Sequence, residues 1–183
     1  MARDRKRFGT GIAIASLLWL VGLGQARAYD EQWSLDGALG YALLARDDGP
    51  TSQGASVDLG ASWGVSDSIV LRGTLGYALL AHATRRETVY EHLGRLRAEG
   101  LYLLDVLKLV PFLGVGLTLS TAQHGAQEIP LRPGVHLLLG LDYLASRTWS
   151  AGIDVRSGIL FESGELLSAT DVSLRLSRMF ELF

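Results

Sequence analysis

The residues of this chain that could do chemistry are mainly arginines and carboxylates that recur at even spacings. Twelve of them fall on the polar side of segments in which polar and apolar residues alternate, namely Asp36, Asp58, Arg72, Arg95, Arg97, Glu99, Asp105, Asp142, Asp154, Arg156, Asp171 and Arg175. Because successive side chains of a strand point to opposite faces, all twelve belong to one kind of face. Seven are acidic and five are basic, so most can pair through charge-assisted hydrogen bonds. We expect a network of structural ion pairs, with a conduit as the alternative.

Histidine is the second residue type that could support catalysis. The chain has His82, His92, His124 and His136. A hydroxyl nucleophile must lie within hydrogen-bond reach of its base, and none of the four has a serine two residues away on the same strand face. They do not form a cluster with metal-ligand spacing, and the chain has no cysteine, which excludes thiol chemistry. We therefore predict no catalytic residue, no cofactor and no metal ion.

The first 28 residues have the pattern of a cleavable signal peptide. A basic start at residues 3–7 precedes an uncharged apolar stretch over residues 8–24, and Ala26-Arg27-Ala28 is a small-x-small cleavage site. We predict that residues 1–28 are removed and that residues 29–183 form one exported domain. Loss of five basic residues and one acidic residue leaves 12 basic and 18 acidic residues. The resulting net charge of −6 makes nucleic acid a poor partner.

The elements that must position the charged residues are strands. Polar and apolar residues alternate with a period of two, as over residues 55–65, which is typical of strands with one apolar face. Eight such segments occur, at residues 31–46, 55–66, 69–83, 94–106, 110–121, 134–145, 148–162 and 168–182. Tight and long connections alternate between them, so the tight ones fall at one end of an up-and-down meander.

The size of the side chains indicates which face meets which environment. The polar faces carry mostly glycine, serine and alanine, whereas the apolar faces carry leucine, valine, isoleucine, tryptophan and tyrosine. A water-facing surface prefers long polar chains, and the chain has only two lysines, Lys6 and Lys108. A soluble lipocalin-like barrel or sandwich would turn the apolar face inward. We instead predict an all-β protein, an eight-stranded antiparallel up-and-down transmembrane β-barrel whose apolar face meets lipid.

Aromatic residues gather near both ends of the predicted strands. Trp33, Trp63, Tyr143, Trp149 and Phe180 fall at the end with the tight turns, and Tyr41, Tyr77 and Phe161 fall toward the other end. Membrane barrels carry aromatic girdles at both lipid–water interfaces. The two groups therefore predict two girdles.

Two stretches resemble small outer-membrane β-barrels of the OmpA/OmpX type. Residues 110–116 (VPFLGVG) are similar to a Pro-aromatic-x-Gly-x-Gly strand of that family, and residues 139–156 are similar to its strand, short turn and Trp-led strand. The family's terminal aromatic residue is present as Phe183, although it falls on the face opposite to Val172 and Phe180, and Glu181 stands where an apolar residue is usual. The resemblance implies insertion into the outer membrane by the barrel-assembly machinery.

The functional expectation is a non-enzymatic barrel of the outer membrane with a salt-bridged, side-chain-filled interior, which serves envelope structure or surface interaction through its outer loops. Its predicted partners are outer-membrane lipids, the assembly machinery and an unidentified surface ligand. The segment 84–93 is predicted as an outward loop, with Arg85, Arg86, Tyr90 and His92 as candidate contact residues. A narrow pore for small solutes and a lipid-modifying enzyme are the alternatives.

Overall fold

The computed structural model describes seven segments of the chain, which are residues 32–46, 51–83, 88–104, 108–124, 127–128, 131–162 and 165–181. The predicted signal peptide, Asp105, Arg85, Arg86 and Phe183 lie outside the described residues. No helix long and apolar enough to cross a bilayer occurs in the described segments.

Strands account for nearly all of the described residues. They are β1 (Gln32–Arg46), β2 (Ser52–Ser66), β3 (Ile69–Ala83), β4 (Thr88–Leu103), β5 (Leu109–His124), β6 (Gln127–Glu128), β7 (Arg132–Leu144), β8 (Trp149–Glu162) and β9 (Glu165–Glu181). The two-residue β6 pairs only with the end of β5, so eight long strands form the wall.

The wall is a closed antiparallel barrel. Each long strand pairs with its neighbour in the chain, and β1 also pairs with β9 along its whole length. Closure pairs the backbone of every long strand on both sides, as a strand surrounded by hydrocarbon requires. The predicted eight-stranded up-and-down barrel is confirmed.

The outer surface of the barrel is apolar. Leu39, Leu137 and Leu174 are between 65% and 70% exposed, while arginines and aspartates lie inside. A soluble barrel would have the reverse arrangement. The orientation predicted from side-chain size is therefore confirmed.

Strands extend further than the sequence predicts at the end opposite to the tight turns, which we call the outer end. Here β2 begins at Ser52, β4 at Thr88, β7 at Arg132 and β9 at Glu165, and β5 continues to His124. The long connections predicted at 47–54, 84–93 and 122–133 are therefore wrong in extent. The connection of intermediate length predicted at 163–167 is also too long, because only residues 163–164 separate β8 from β9. Apolar alternation fades near a rim because outward side chains there leave the hydrocarbon, whereas backbone pairing continues.

Two apolar clusters fill parts of the interior. One crosses the barrel near the outer end and consists of Ala42, Leu44, Ala78, Leu80, Leu93, Ala122, Leu160 and Leu167. The second lies toward the tight turns on the β3–β5 side and consists of Val70, Leu101, Leu103, Val110, Phe112 and Leu138. The charged residues occupy the space between and beside these clusters.

Candidate functional site

The structure places the eleven described members of the predicted charge set inside the barrel. They are Asp36, Asp58, Arg72, Arg95, Arg97, Glu99, Asp142, Asp154, Arg156, Asp171 and Arg175, and each is less than a tenth exposed. Seven of the eight long strands contribute to them, and β5 contributes none. The sequence spacing thus brings charges from almost the whole wall into one lumen, which we call the interior network.

The outer part of the interior network is a square of two arginines and two aspartates. Arg97 donates to Asp58 through Nη1 at 3.1 Å and to Asp171 through Nη2 at 2.9 Å. Arg95 contacts the other oxygens of both carboxylates, with Nη2 at 3.4 Å from Asp58 Oδ1 and Nη1 hydrogen-bonded to Asp171. Since β9 lies opposite β4 in the closed sheet, the two arginines span the lumen.

The middle of the network is organised by Glu99 and Arg156. Arg156 Nε donates to Glu99 Oε1 at 2.8 Å, and its Nη2 donates to Asp154 Oδ2 at 3.1 Å. Arg72 Nη1 lies 3.6 Å from Asp154 Oδ2 and 3.7 Å from Glu99 Oε2. Arg72 and Glu99 are cross-strand partners on β3 and β4, and the contacts of Arg156 and Asp154 tie this pair to β8, a strand with which neither β3 nor β4 forms backbone pairs.

The part nearest the tight turns is built on Arg175. Its Nη2 donates to both oxygens of Asp142, at 2.6 and 2.7 Å, and its Nη1 lies 3.6 Å from Asp36 Oδ1. The guanidinium groups of Arg72 and Arg175 lie 5.5 and 5.3 Å from the centre of the Phe112 ring. Phe112 therefore provides cation–π contacts where the apolar cluster meets the network.

Glycines on the inner wall make room for two of the carboxylates. A Cβ at Gly76 would lie 2.1 Å from Asp58 Oδ1, and one at Gly152 would lie 1.9 Å from Asp142 Oδ1. Both distances are far below van der Waals contact. The small residues of the polar faces therefore leave the space in which the charged side chains pair.

His136 belongs to the network although it was not included in the predicted set. Its Nε2 lies 3.0 Å from Glu99 Oε1, and its Nδ1 lies 2.9 Å from the hydroxyl of Thr118. The inward parity of its position was visible in the sequence. A histidine that can carry a positive charge beside a carboxylate could have been added on that ground.

A hydroxyl, an imidazole and a carboxylate in a row are also the arrangement of a hydrolytic triad. Here Thr118, His136 and Glu99 are all buried, and Glu99 is also bound by Arg156. The interior cavity that Thr118 and His136 help to line has a volume of only about 30 Å³. That volume holds about two or three waters and is too small for a lipid substrate.

A second ionic cluster, which the sequence analysis missed, lies at the outer end. It consists of Arg46, Glu91, Arg132 and Glu162, and Glu91 accepts from Arg46 at 3.2 Å. Arg132 Nη2 donates to Glu162 at 2.5 Å and its Nη1 lies 3.8 Å from Glu91. Glu91 and Arg132 fall in segments that the sequence predicts as loops, where inward parity has no meaning. We call these four residues the outer cluster.

The predicted contact loop is a strand where the structure describes it. Tyr90 and His92 lie in β4, because this strand pairs with β3 up to Ala83–Thr88. Both side chains are exposed and lie on the outward face. His92 Nδ1 is 2.5 Å from the hydroxyl of Tyr77. The loop prediction is wrong for these two residues, since continued backbone pairing overrides the polar composition of the segment.

All eight residues of the predicted girdles lie on the outer surface. Trp33, Trp63, Tyr143, Trp149, Phe180, Tyr41, Tyr77 and Phe161 are between 39% and 47% exposed. Trp33 and Trp63 are cross-strand partners, and their rings stack with centroids 6.0 Å apart. Tyr102 is a further outward aromatic residue near the tight turns.

Metal binding has no support in the described segments, where no group of three or more histidine, aspartate or glutamate side chains is arranged to hold an ion. The arrangement of the network is instead that of paired charges.

Several solved structures of outer-membrane proteins have the same architecture. Neisserial surface protein A is 17% identical with a TM-score of 0.68, over 82% of this chain and 100% of that chain. The fold is that of an eight-stranded outer-membrane β-barrel. The outer membrane protein OprG of Pseudomonas aeruginosa (8% identical, TM-score 0.59) is matched over 85% of this chain and 99% of its own. The outer membrane enzyme PagL (13% identical, TM-score 0.51) is matched over 78% and 97%.

These structures share the barrel fold with this chain, and they include both an enzyme and a surface protein. No protein-family model matches the chain, and no curated protein matches it. The choice among functions therefore depends on the interior and the surface of this barrel.

Proposed function

We propose that this protein is an integral outer-membrane barrel that neither catalyses a reaction nor conducts solutes. It contributes to envelope structure and makes contacts through its outer end. The observation that carries the proposal is the interior network, in which arginines and carboxylates from opposite walls pair across the lumen.

The filled interior argues against a pore. Two cavities among the described residues of the interior have volumes of only about 40 and 30 Å³, and the apolar cluster near the outer end joins side chains from six strands. An eight-stranded barrel is only wide enough for its side chains to fill it. A solute path would require the ion pairs to separate, at a cost of several kcal/mol for each buried charge.

The location of the potential catalytic groups argues against an enzyme. Thr118 and Glu99 face the lumen, whereas a lipid substrate would approach the outer surface. His136 also lines a groove of about 590 Å³ in the outer wall, but Thr118 and Glu99 engage both of its ring nitrogens, so neither nitrogen is free to activate a hydroxyl of that groove. On that surface His92 pairs with Tyr77, and a phenol with an imidazole lacks the third group that would complete a nucleophilic site.

The outer end is the part that would meet a surface partner. Tyr90 is 58% exposed there, next to His92 on β4. Short turns of membrane barrels face the periplasm, which directs this end outward. The predicted signal peptide would take the chain across the inner membrane, and the assembly machinery would then insert it.

Planar bilayers test the absence of conduction. The purified protein, first shown on a gel to be folded by its altered migration before boiling, is added to a bilayer beside a porin that verifies sensitivity. We expect no discrete steps. Steps that scale with the amount of folded protein would refute the closed interior.

Mass spectra of lipid A and phospholipids test the absence of catalysis. Cells with and without the protein should give the same spectra. A protein-dependent loss or gain of an acyl chain that disappears in His92→Ala or His136→Ala would establish an enzyme instead.

A further inference from the structure

Arg178 is a charge on a surface that otherwise excludes charge. It lies on the outward face of β9, directly opposite Leu35 of β1 and Trp149 of β8. On the outward faces of the eight long strands, as far as their side chains are described, it is the only Asp, Glu, Lys or Arg. The interior network does not involve it, so the pairing of charges in the lumen does not account for it.

Two aromatic rings hold the Arg178 guanidinium. Its central carbon lies 5.7 Å from the centre of the Trp149 ring and 5.2 Å from that of Phe180. Among the residues whose side chains the structure describes, no carboxylate lies within ion-pair distance of it. Cation–π contacts orient the group but do not neutralise its charge, so an anion is the partner that its chemistry favours.

The position of Arg178 selects the kind of anion. Trp33, Trp149 and Phe180 belong to the girdle at the tight-turn end, and such aromatics sit at the level of lipid headgroups. The phosphate groups of a bilayer lie at this level, and arginine binds phosphate with two parallel hydrogen bonds. Met179 N donates to Thr148 O at 2.9 Å. This hydrogen bond brings the β7–β8 turn, in which Arg147 is exposed, alongside the part of β9 that carries Arg178.

The wall above Arg178 leaves room for an acyl chain. Leu176, the next outward residue toward the membrane centre, lies opposite Gly37 on one side and Ala151 on the other. A Cβ at Gly37 would meet nothing within 4 Å. The side chains on both sides of Leu176 are therefore small, and Leu176 itself follows Arg178 along the outward face of β9.

We propose that Arg178, held between Trp149 and Phe180, binds the phosphodiester of a glycerophospholipid in the leaflet at the tight-turn end. The lipid's acyl chain lies beside Leu176. The proposal rests on the proposed function, because it requires the barrel to span a bilayer.

Native mass spectrometry of the folded protein with added phosphatidylglycerol tests this site. The wild type should retain one lipid, and Arg178→Gln should lower the bound fraction about ten-fold or more, as expected for loss of a charge-assisted contact. Arg178→Lys should be intermediate because a lysine lacks the planar fork. Lys108→Gln is the matched control, since it removes an exposed charge at the same end, and it should bind as the wild type does.

Two further arms distinguish a bound lipid from a free phosphate ion and locate the acyl chain. A short-chain phosphatidylglycerol should displace the bound lipid, and inorganic phosphate at the same concentration should not. Gly37→Leu, which fills the space beside Leu176 without a change of charge, should also weaken retention.

The site is refuted if Arg178→Gln retains as much lipid as the wild type, or if Lys108→Gln loses as much bound lipid as Arg178→Gln does. If inorganic phosphate displaced the bound lipid as well as short-chain phosphatidylglycerol does, the assignment of a lipid as the ligand would be refuted. If Gly37→Leu retained the lipid fully, the proposed position of the acyl chain would be refuted. A wild type that shows no folded band on the gel would instead contradict the proposed barrel function.

Discussion

Replacement of Asp171 by asparagine tests whether the interior charges stabilise the barrel. Asp171 accepts from Arg97 at 2.9 Å and also from Arg95. Asparagine keeps the shape of the side chain but removes its charge. Two buried arginines would then share Asp58 alone. Removal of one partner from a buried ion pair costs about 3–5 kcal/mol.

That loss corresponds to a change of more than 100-fold in the unfolding equilibrium, at about 1.4 kcal/mol for each factor of ten. Urea unfolding of the protein in lipid vesicles measures it, because Trp33, Trp63 and Trp149 lie on the lipid-facing surface and report their loss of contact with lipid. The free energy of unfolding should fall by the full amount for Asp171→Asn.

Glu165→Gln is the control, because it makes the same change of charge at an exposed position of the same strand. The double variant Asp171→Asn with Arg97→Gln restores the balance and should be more stable than the sum of the single effects. A loss below about 0.5 kcal/mol for Asp171→Asn, the range of ordinary surface changes, would refute the idea that the network stabilises the barrel.

Two other perturbations test the inner and outer faces of the wall. Gly76→Ala should destabilise the barrel by about 1–3 kcal/mol, since its Cβ would overlap Asp58, whereas Gly73→Ala points into open space and should be neutral in the same urea titration. Equal effects would contradict the packing argument. Leu174→Arg, outward and near the middle of β9, should cost about 2–4 kcal/mol, and Leu166→Arg, near the outer end, only about 0–1 kcal/mol. The same cost at both positions would contradict the placement of the hydrocarbon.

The period of two, together with the small size of the residues on the polar faces, was sufficient to predict the fold. In a barrel that spans lipid, every wall residue faces either the acyl chains or the lumen, so parity alone assigns it. Arg72 and Arg156 come from different strands, yet both were predicted to lie inside because each belongs to the polar set of alternating positions in its strand.

The pairing partners could not be predicted in the same way. Glu99 contacts Arg156 rather than the nearer Arg97 in sequence, and this choice depends on strand tilt and on which strands face each other across the lumen. The outer cluster was missed for a different reason. Glu91 lies between Tyr90 and His92, and Arg132 lies in a segment that contains Pro130 and Pro133, so the alternation that reveals a strand was weak there although the backbone ladder continues.

The interior charges also determine which side of each strand faces inward. A slip of β4 by one residue would keep the number of backbone hydrogen bonds almost unchanged, but it would turn Arg95, Arg97 and Glu99 toward the lipid. Each arginine near the membrane centre would then cost about 2–4 kcal/mol, and the arginines and aspartates of the facing strands would lose their partners. A wholly apolar interior would lack this penalty, because both faces of the strand would then suit lipid. The charged lumen therefore opposes incorrect registers of this barrel.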